Sequence, residues 1–313
     1  MNDFYHLAVA WDWEFDRDFV RLLELEIHCQ HLQFYSISHH NALETSRKIQ
    51  AGELVFGAFL DRAGESSEAF LQLSRTIRKT PSYFINPPDA ISRANDKATM
   101  HLEFLSKGLN VPFTIIISPY NKRKEIELKL SDLQKLGRPF IIKPANTTGG
   151  GVGVILGAET LKDVIDSRQH HKNDKYLLQQ KITPGLMGGR KSWFRVFHVF
   201  GLVLPCWWDD VSHRYAPVTV EERDAFALGS LTTFARMIKD VCELDFFSTE
   251  IAITPENQFV VVDYVNDICD MRLQSSPVDG VPDPTVERIC RRIASALSLC
   301  HRKGDKPPGQ DPP

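Results

Sequence analysis

Residues 140–154 read FIIKPANTTGGGVGV, and the fold turns on this stretch. Phe140 to Lys143 is apolar and β-prone, and Thr147–Val154 then carries four glycines. Glycine lets successive backbone N–H groups approach and wrap an anion. A Walker loop or dinucleotide fingerprint needs strand, loop, then helix. Here Val154, Ile155 and Leu156 start another strand, and neither GxxxxGK[ST] nor GxGxxG can be read. The spacing therefore predicts strand, glycine loop, strand. Such a loop is either a bare hairpin turn or a lid over a polyphosphate. Lys143 favours the second reading, because an ammonium inside a strand is costly without an anion or solvent to meet it.

Outward from this loop the chain falls into two styles. From Tyr5 to Asn86, the runs YHLAVAW, LQFYSIS, LVFGAFL and SYFI alternate with helical periods over 16–29, 41–51 and 66–79, a βαβ pattern that predicts an open α/β unit with a parallel sheet. From NPPDAIS onward the reading is one helix over 90–107 closed by Gly108, a strand after Pro112, a helix over 161–170 and the strand YLLQQKI. A hairpin turning at Gly201, a long helix over 224–243 and a last hairpin, FFSTEIAITPENQFVVVDYV, complete an α+β remainder. The polar, Pro-rich stretch 301–313 reads as a disordered tail.

The chain has 313 residues, 42% hydrophobic and 25% charged, with 37 basic against 40 acidic residues and a net charge of −3. That balance provides no basic field for a phosphate backbone or membrane surface, so nucleic-acid and membrane roles are set aside and any bound anion must meet a local site. Six cysteines without a CxxC pair, no apolar run near the length of a span, and no recognisable leader predict an untargeted protein of the reducing cytoplasm.

The last hairpin supplies acids. With its turn near Glu256, Ile253 falls opposite Val260 and Glu250 opposite Asp263. Opposed carboxylates repel at a Cβ spacing of about 4.5–5.5 Å unless a cation intervenes, and magnesium takes one or two carboxylates plus substrate oxygens. The other reading has one or both acids facing solvent. Arg195 in WFRVFHVF, Arg214 in SHRY and Arg272 in CDMR each suit either an anionic ligand or a neighbouring acid. His28, His31, His39 and His40 fit no zinc spacing, and Cys206-Trp207-Trp208 reads as core strand.

Taken in order, these motifs resemble the ATP-grasp superfamily over about Asn86 to Arg272. The Asn-Pro turn with the Asp96-Lys97 pair is similar to the entry of that family's central domain. FIIKPANTTGGGVGV resembles its phosphate strand and glycine loop, and YLLQQKITP its adenine-side strand. FRVF resembles its arginine strand, and STEIAI with VVVDYVND its two metal-bearing strands. The resemblance implies a Rossmann-like N-terminal domain over 1–88 and a two-lobed ATP-grasp domain over 89–300, divided near 180. It places Lys97 and Lys143 on phosphates, Thr148, Gly149, Gly150, Gly151 and Gly153 over them, and Gln179, Gln180, Lys181 and Ile182 around adenine. Glu250, Asp263 and Asn266 would hold Mg2+, or Mn2+, and Arg195, with Arg272 and Arg214, would meet the transferred phosphoryl group or substrate carboxylate.

The family's Glu-x-Asn is here Asp263-Tyr264-Val265-Asn266. Strand alternation then turns Asn266 away from Asp263 unless a bulge intervenes, and makes Asp267 the substitute ligand. The implied activity is a carboxylate–amine ligase acting on small-molecule or peptide substrates through an acyl phosphate, and the resemblance is compatible with a homodimer. A kinase acting on a small-molecule hydroxyl and a nucleotide-binding partner protein without catalysis share the same motifs.

Overall fold

A computed structural model of the protein describes residues 2–64, 66–147 and 151–303, without the side chains of residues 300–303. Strands β1 (Asp3–Ala10), β2 (Phe34–Ile37), β3 (Leu54–Asp61) and β4 (Tyr83–Ile85) form a parallel sheet in the order β2-β1-β3-β4. A parallel sheet needs both faces covered, and the parity of β1 shows how. Leu7 and Val9 pack on Phe19, Leu23 and Ile27 of α1 (Arg17–Cys29). Ala8 and Ala10 pack with residues of α2 (Ala42–Gln50) and α3 (Glu68–Ile77).

The helix expected over 90–107 is two, α4 (Pro88–Asn95) and α5 (Lys97–Ser106). Asp96 breaks the run with an extended backbone, and its carboxylate accepts from the N–H groups of Ala98 at 3.0 Å and Thr99 at 3.2 Å. Aspartate satisfies free N–H groups at a helix start better than it sits in a helix interior, and this break puts Lys97 in the first turn of α5.

A second, antiparallel sheet follows. It contains β5 (Thr114–Ile117), β6 (Phe140–Pro144), β7 (Ile155–Ala158) and β8 (Tyr176–Gln180) in the order β5-β8-β6-β7, with α6 (Leu130–Leu136) and α7 (Leu161–Arg168) alongside. The strand expected through GVGV starts only at Ile155. Gly151 and Gly153 have φ of 78° and 76°, which closes a turn there instead. A short ribbon, β9 (Leu186–Met187) with β10 (Arg190–Lys191), leads to the third sheet.

That sheet holds β11 (Trp193–Val199), β12 (Leu202–Trp208), β13 (Tyr215–Pro217), β14 (Phe246–Ile253) and β15 (Phe259–Asn266) in the order β13-β12-β11-β14-β15. The β11–β12 turn at Phe200 and Gly201 has positive φ at both residues, 45° and 81°, as a tight hairpin requires. The helix expected over 224–243 is also two, α8 (Val220–Ala225) and α9 (Ser230–Cys242). A capping box between Thr219 and Glu222 starts α8 early, and Ala227 at φ 52° ends the run before α9. Helix α10 (Asp283–Lys303) returns to α1 and shares its core with Phe197 and Val199 of β11. It extends into the stretch read as tail, whose remaining residues lie outside the described ones.

The β14–β15 register decides the site. Glu250 does pair with Asp263, whereas Ile253 pairs with Phe259, not Val260. Two irregularities, between Glu250 and Ile251 and between Ser248 and Glu250, each insert one extra residue on β15.

Candidate active site

Across the third sheet, Arg195 of β11 is in register with Glu250 of β14, and Glu250 with Asp263 of β15. Arg195, Glu250 and Asp263 thus form a transverse row of one cation and two acids. Directly opposed acids would repel, and each is neutralised by its own cation. Arg195 Nη2 lies 2.5 Å from Glu250 Oε1, and Trp193 Nε1 donates to Glu250 Oε2 at 3.0 Å. Trp193 is two residues before Arg195, so strand parity puts both on one face. At the other end of the row, Lys97 Nζ lies 3.5 Å and Lys143 Nζ 4.0 Å from Asp263 Oδ1.

These charges are nearly dry: the side chains of Lys97 and Lys143 are 10% and 8% exposed, that of Asp263 25%. Burial alone would raise the Asp263 carboxyl. Lys97, Lys143 and Arg195, with a hydrogen bond from the Asn266 side chain, hold it well below the usual carboxylate range. Lys143 is pushed down to about 8 by burial, against the pull of Asp263. Burial is the largest single influence on Arg195 and opposes its charge, but Glu250 together with Tyr215, Asp263 and Cys269 outweighs it and raises the guanidinium above its ordinary value.

Asn266 does not turn away. The second bulge restores its parity, so its amide reaches Asp263. Asp267 breaks the parity expectation the other way: its Oδ1 accepts from Asn86 Nδ2 at 2.7 Å, and burial pushes it up to about 6. It faces the end of the first sheet. Asn86 itself accepts from the N–H groups of Asp245 and Phe246 and donates to the carbonyl of Phe246, which ties the Asn-Pro turn to the start of β14.

Two other arginines lie outside the cluster. The guanidinium of Arg272 is taken by Asp270 at 2.7 Å and Asp279 at 3.2 Å and stacks over Trp13. Arg214 is exposed in the turn between β12 and β13. A further arginine, Arg62, directly after β3, is buried against Asp16 at 2.5 Å and the carbonyl of Cys269.

Thr148, Gly149 and Gly150 lie outside the described residues. The loop's described ends are anchored: Asp174 accepts from Asn146 N, Asn146 Nδ2 and Thr147 Oγ1, while a Cβ on Gly153 would stand 3.3 Å from Pro144. Asp174 had no sequence signal, since it sits in a polar stretch that reads as plain loop. Of the adenine-side residues, Gln180 and Lys181 are exposed and Ile182 packs on the cluster of Trp193, Ala252 and Val262. Gln179 is wholly buried and turns inward, with Nε2 donating to Thr114 Oγ1 and to Tyr264 Oη.

The arrangement fits a metal-bound polyphosphate. Glu250, Asp263 and Asn266 offer only oxygen atoms as ligands, as a hard divalent cation prefers. Arg195 Nε is buried without a partner, a donor that an oxyanion would satisfy. Among the described residues, no group of three or more His, Cys, Asp or Glu side chains is placed to hold a metal. The cysteines at 29, 206, 242, 269 and 290 are free, and no described helix is long and apolar enough to cross a membrane.

No family model and no curated protein matches the sequence. Solved structures do match the fold along nearly its whole length. D-alanine–D-alanine ligase from Bacillus anthracis, complexed with ATP, is 12% identical with a TM-score of 0.61, covering 96% of this chain and 99% of its own. A RimK domain ATP-grasp protein from Sphaerobacter thermophilus is 18% identical with a TM-score of 0.62, covering 93% and 98%. The ATP-grasp ligase PsnB, complexed with minimal precursor, Mg and ADP, is 12% identical with a TM-score of 0.60, covering 95% and 98%. The chain has the ATP-grasp fold.

Proposed function

We propose that this protein is a cytoplasmic ATP-dependent ligase that activates a carboxylate as an acyl phosphate and joins it to an amine of an amino acid or peptide-like substrate. The observation that carries this reading is the row Arg195–Glu250–Asp263 closed by Lys97 and Lys143. Residues 1–88 would form a Rossmann-like domain that helps enclose the substrates, and residues 89–180 and 181–300 the two lobes that hold the nucleotide. The solved relatives complexed with ATP, or with Mg and ADP, support the same cofactors here.

In this reading Lys97 and Lys143 bind the phosphates, and the loop through Gly151 and Gly153 covers them. Glu250, Asp263 and Asn266 hold magnesium, which supplies charge neutralisation on the phosphoryl oxygens. Arg195, held level by Glu250 and the ring of Trp208 at 5.1 Å, orients the carboxylate and the oxygens that gain charge. Catalysis then rests on positioning and charge, with little call for a general base.

The test is isotopic. With MgATP, a carboxylate substrate labelled with 18O and an amine acceptor, ligation transfers one label into released phosphate. Lys97→Met and Lys143→Met abolish the transfer. A phosphorylated product with no free phosphate would instead identify a kinase. No turnover with any acid and amine pool would leave only nucleotide binding.

A further inference from the structure

The ammonium of Lys143 is a flexible point charge, and the structure shows what fixes it. Its Nζ donates to the carbonyl of Val262 at 3.3 Å, lies 4.0 Å from Asp263 and sits 5.2 Å from the ring centroid of Tyr264. These three residues are consecutive on β15, the edge strand of the third sheet. A lysine of one sheet therefore reaches the open edge of another, where Tyr264 presents a ring face to it.

Tyr264 is itself clamped. It is fully buried, and its ring meets Phe104 edge-on at 5.3 Å. Its Oη lies 2.9 Å from Gln179 Nε2 and 2.7 Å from His101 Nδ1. Proton inventory orders these bonds. Thr114 Oγ1 gives its proton to the carbonyl of Pro112, so it accepts from Gln179 Nε2, which fixes the amide orientation. The same nitrogen donates to Tyr264, and Tyr264 then donates to His101. Burial pushes His101 down to about 4, so it is a neutral acceptor at Nδ1. His101 and Lys97 stand four residues apart on α5 and share a helix face. One phenol thus joins β8, α5 and β15.

We propose that Tyr264 is a positioning residue that sets both phosphate-facing lysines, Lys143 through its ring and Lys97 through the bond to His101. This rests on the nucleotide reading above. Without Tyr264 the lysines would keep their charge but lose their place, so the loss falls on phosphate recognition and spares the base.

The test titrates wild type, Lys143→Met, Tyr264→Phe and Tyr264→Leu calorimetrically with adenosine and with magnesium plus the non-hydrolysable imido analogue of ATP. Wild type against Lys143→Met reports on the nucleotide reading alone. If wild type binds no analogue, both readings fall. If it does, the analogue weakens several-fold in Tyr264→Phe, which keeps the ring, and tenfold or more in Tyr264→Leu, while adenosine affinity stays unchanged. Equal loss for both ligands, or no loss for the analogue, overturns the proposal. If Tyr264→Leu does not fold, the phosphate-specific loss in Tyr264→Phe decides.

Discussion

Replacing Lys97 with Met should make the protein bind a free divalent cation more tightly while binding nucleotide more weakly. Without ligand, Asp263 is occupied by Lys97 and Lys143, and Glu250 by Arg195. Three cations face two carboxylates, so the row carries a net positive charge and repels a lone metal ion. Unit charges 3.5 Å apart attract by about 5 kcal/mol at an effective dielectric near 20. Solvent reaches part of this pair, and keeping roughly a third of that figure leaves about 1.5 kcal/mol, or about tenfold in affinity. Free and bound Mn2+ can be told apart by electron paramagnetic resonance with no nucleotide present. Lys97→Met should then lower the Kd for Mn2+ about tenfold, and raise the Kd for the magnesium-bound ATP analogue. A variant that holds Mn2+ alone no better than wild type would refute the reasoning, because Lys97 would then not compete for Asp263.

Three further outcomes follow from the geometry. Burial raises the Asp61 carboxyl to about 6 despite hydrogen bonds from the N–H groups of Ala63 and Gly64. A raised folded-state value means stability is greatest below the ordinary carboxylate value near 4 and is lost as pH climbs through 6, so Asp61→Asn should stabilise by at most about 3 kcal/mol at pH 8 and by nothing below pH 4. Urea melts at both pH values check this, and parallel pH profiles for the two proteins would contradict it. Arg195→Met should cost about 3–5 kcal/mol by leaving Glu250 half-buried without its cation, and adding Glu250→Gln should recover part of that in a double-mutant cycle. Asp174→Ala removes three hydrogen bonds of a buried carboxylate at the base of the glycine loop, and should weaken the ATP analogue and also lower the melting temperature by several degrees, as calorimetric binding and thermal melts would check.

Much of this architecture is legible in the chain because it follows short-range rules. The buried runs of β1 and β3 read as parallel strands. The turn TPENQ gives a register one residue off at Ile253, and Glu250 meets Asp263 because the bulge between Val261 and Asp263 makes up the difference. Lys143 announced itself by its cost inside an apolar strand. What escaped depends on the third dimension. The α4–α5 break rests on Asp96 preferring to cap, a local rule that an unbroken apolar period conceals. Arg272 reads like Arg195 in sequence, yet Asp270 and Asp279 take it, and only folding brings Asp279 near. Tyr264 looks like any core aromatic until His101 and Gln179 arrive from other elements.

The two bulges on β15 have a consequence for how such chains can diverge. Each adds a residue without moving the side chains beyond it off their face, so Asp263 and Asn266, with two residues between them in the chain, present themselves as a pair with one residue between them would. Distance along the polypeptide and position in space have come uncoupled here. An insertion that ought to scramble the strand is absorbed as a local kink. A comparison made column by column would therefore misplace Asn266, while a superposition of backbones would find it.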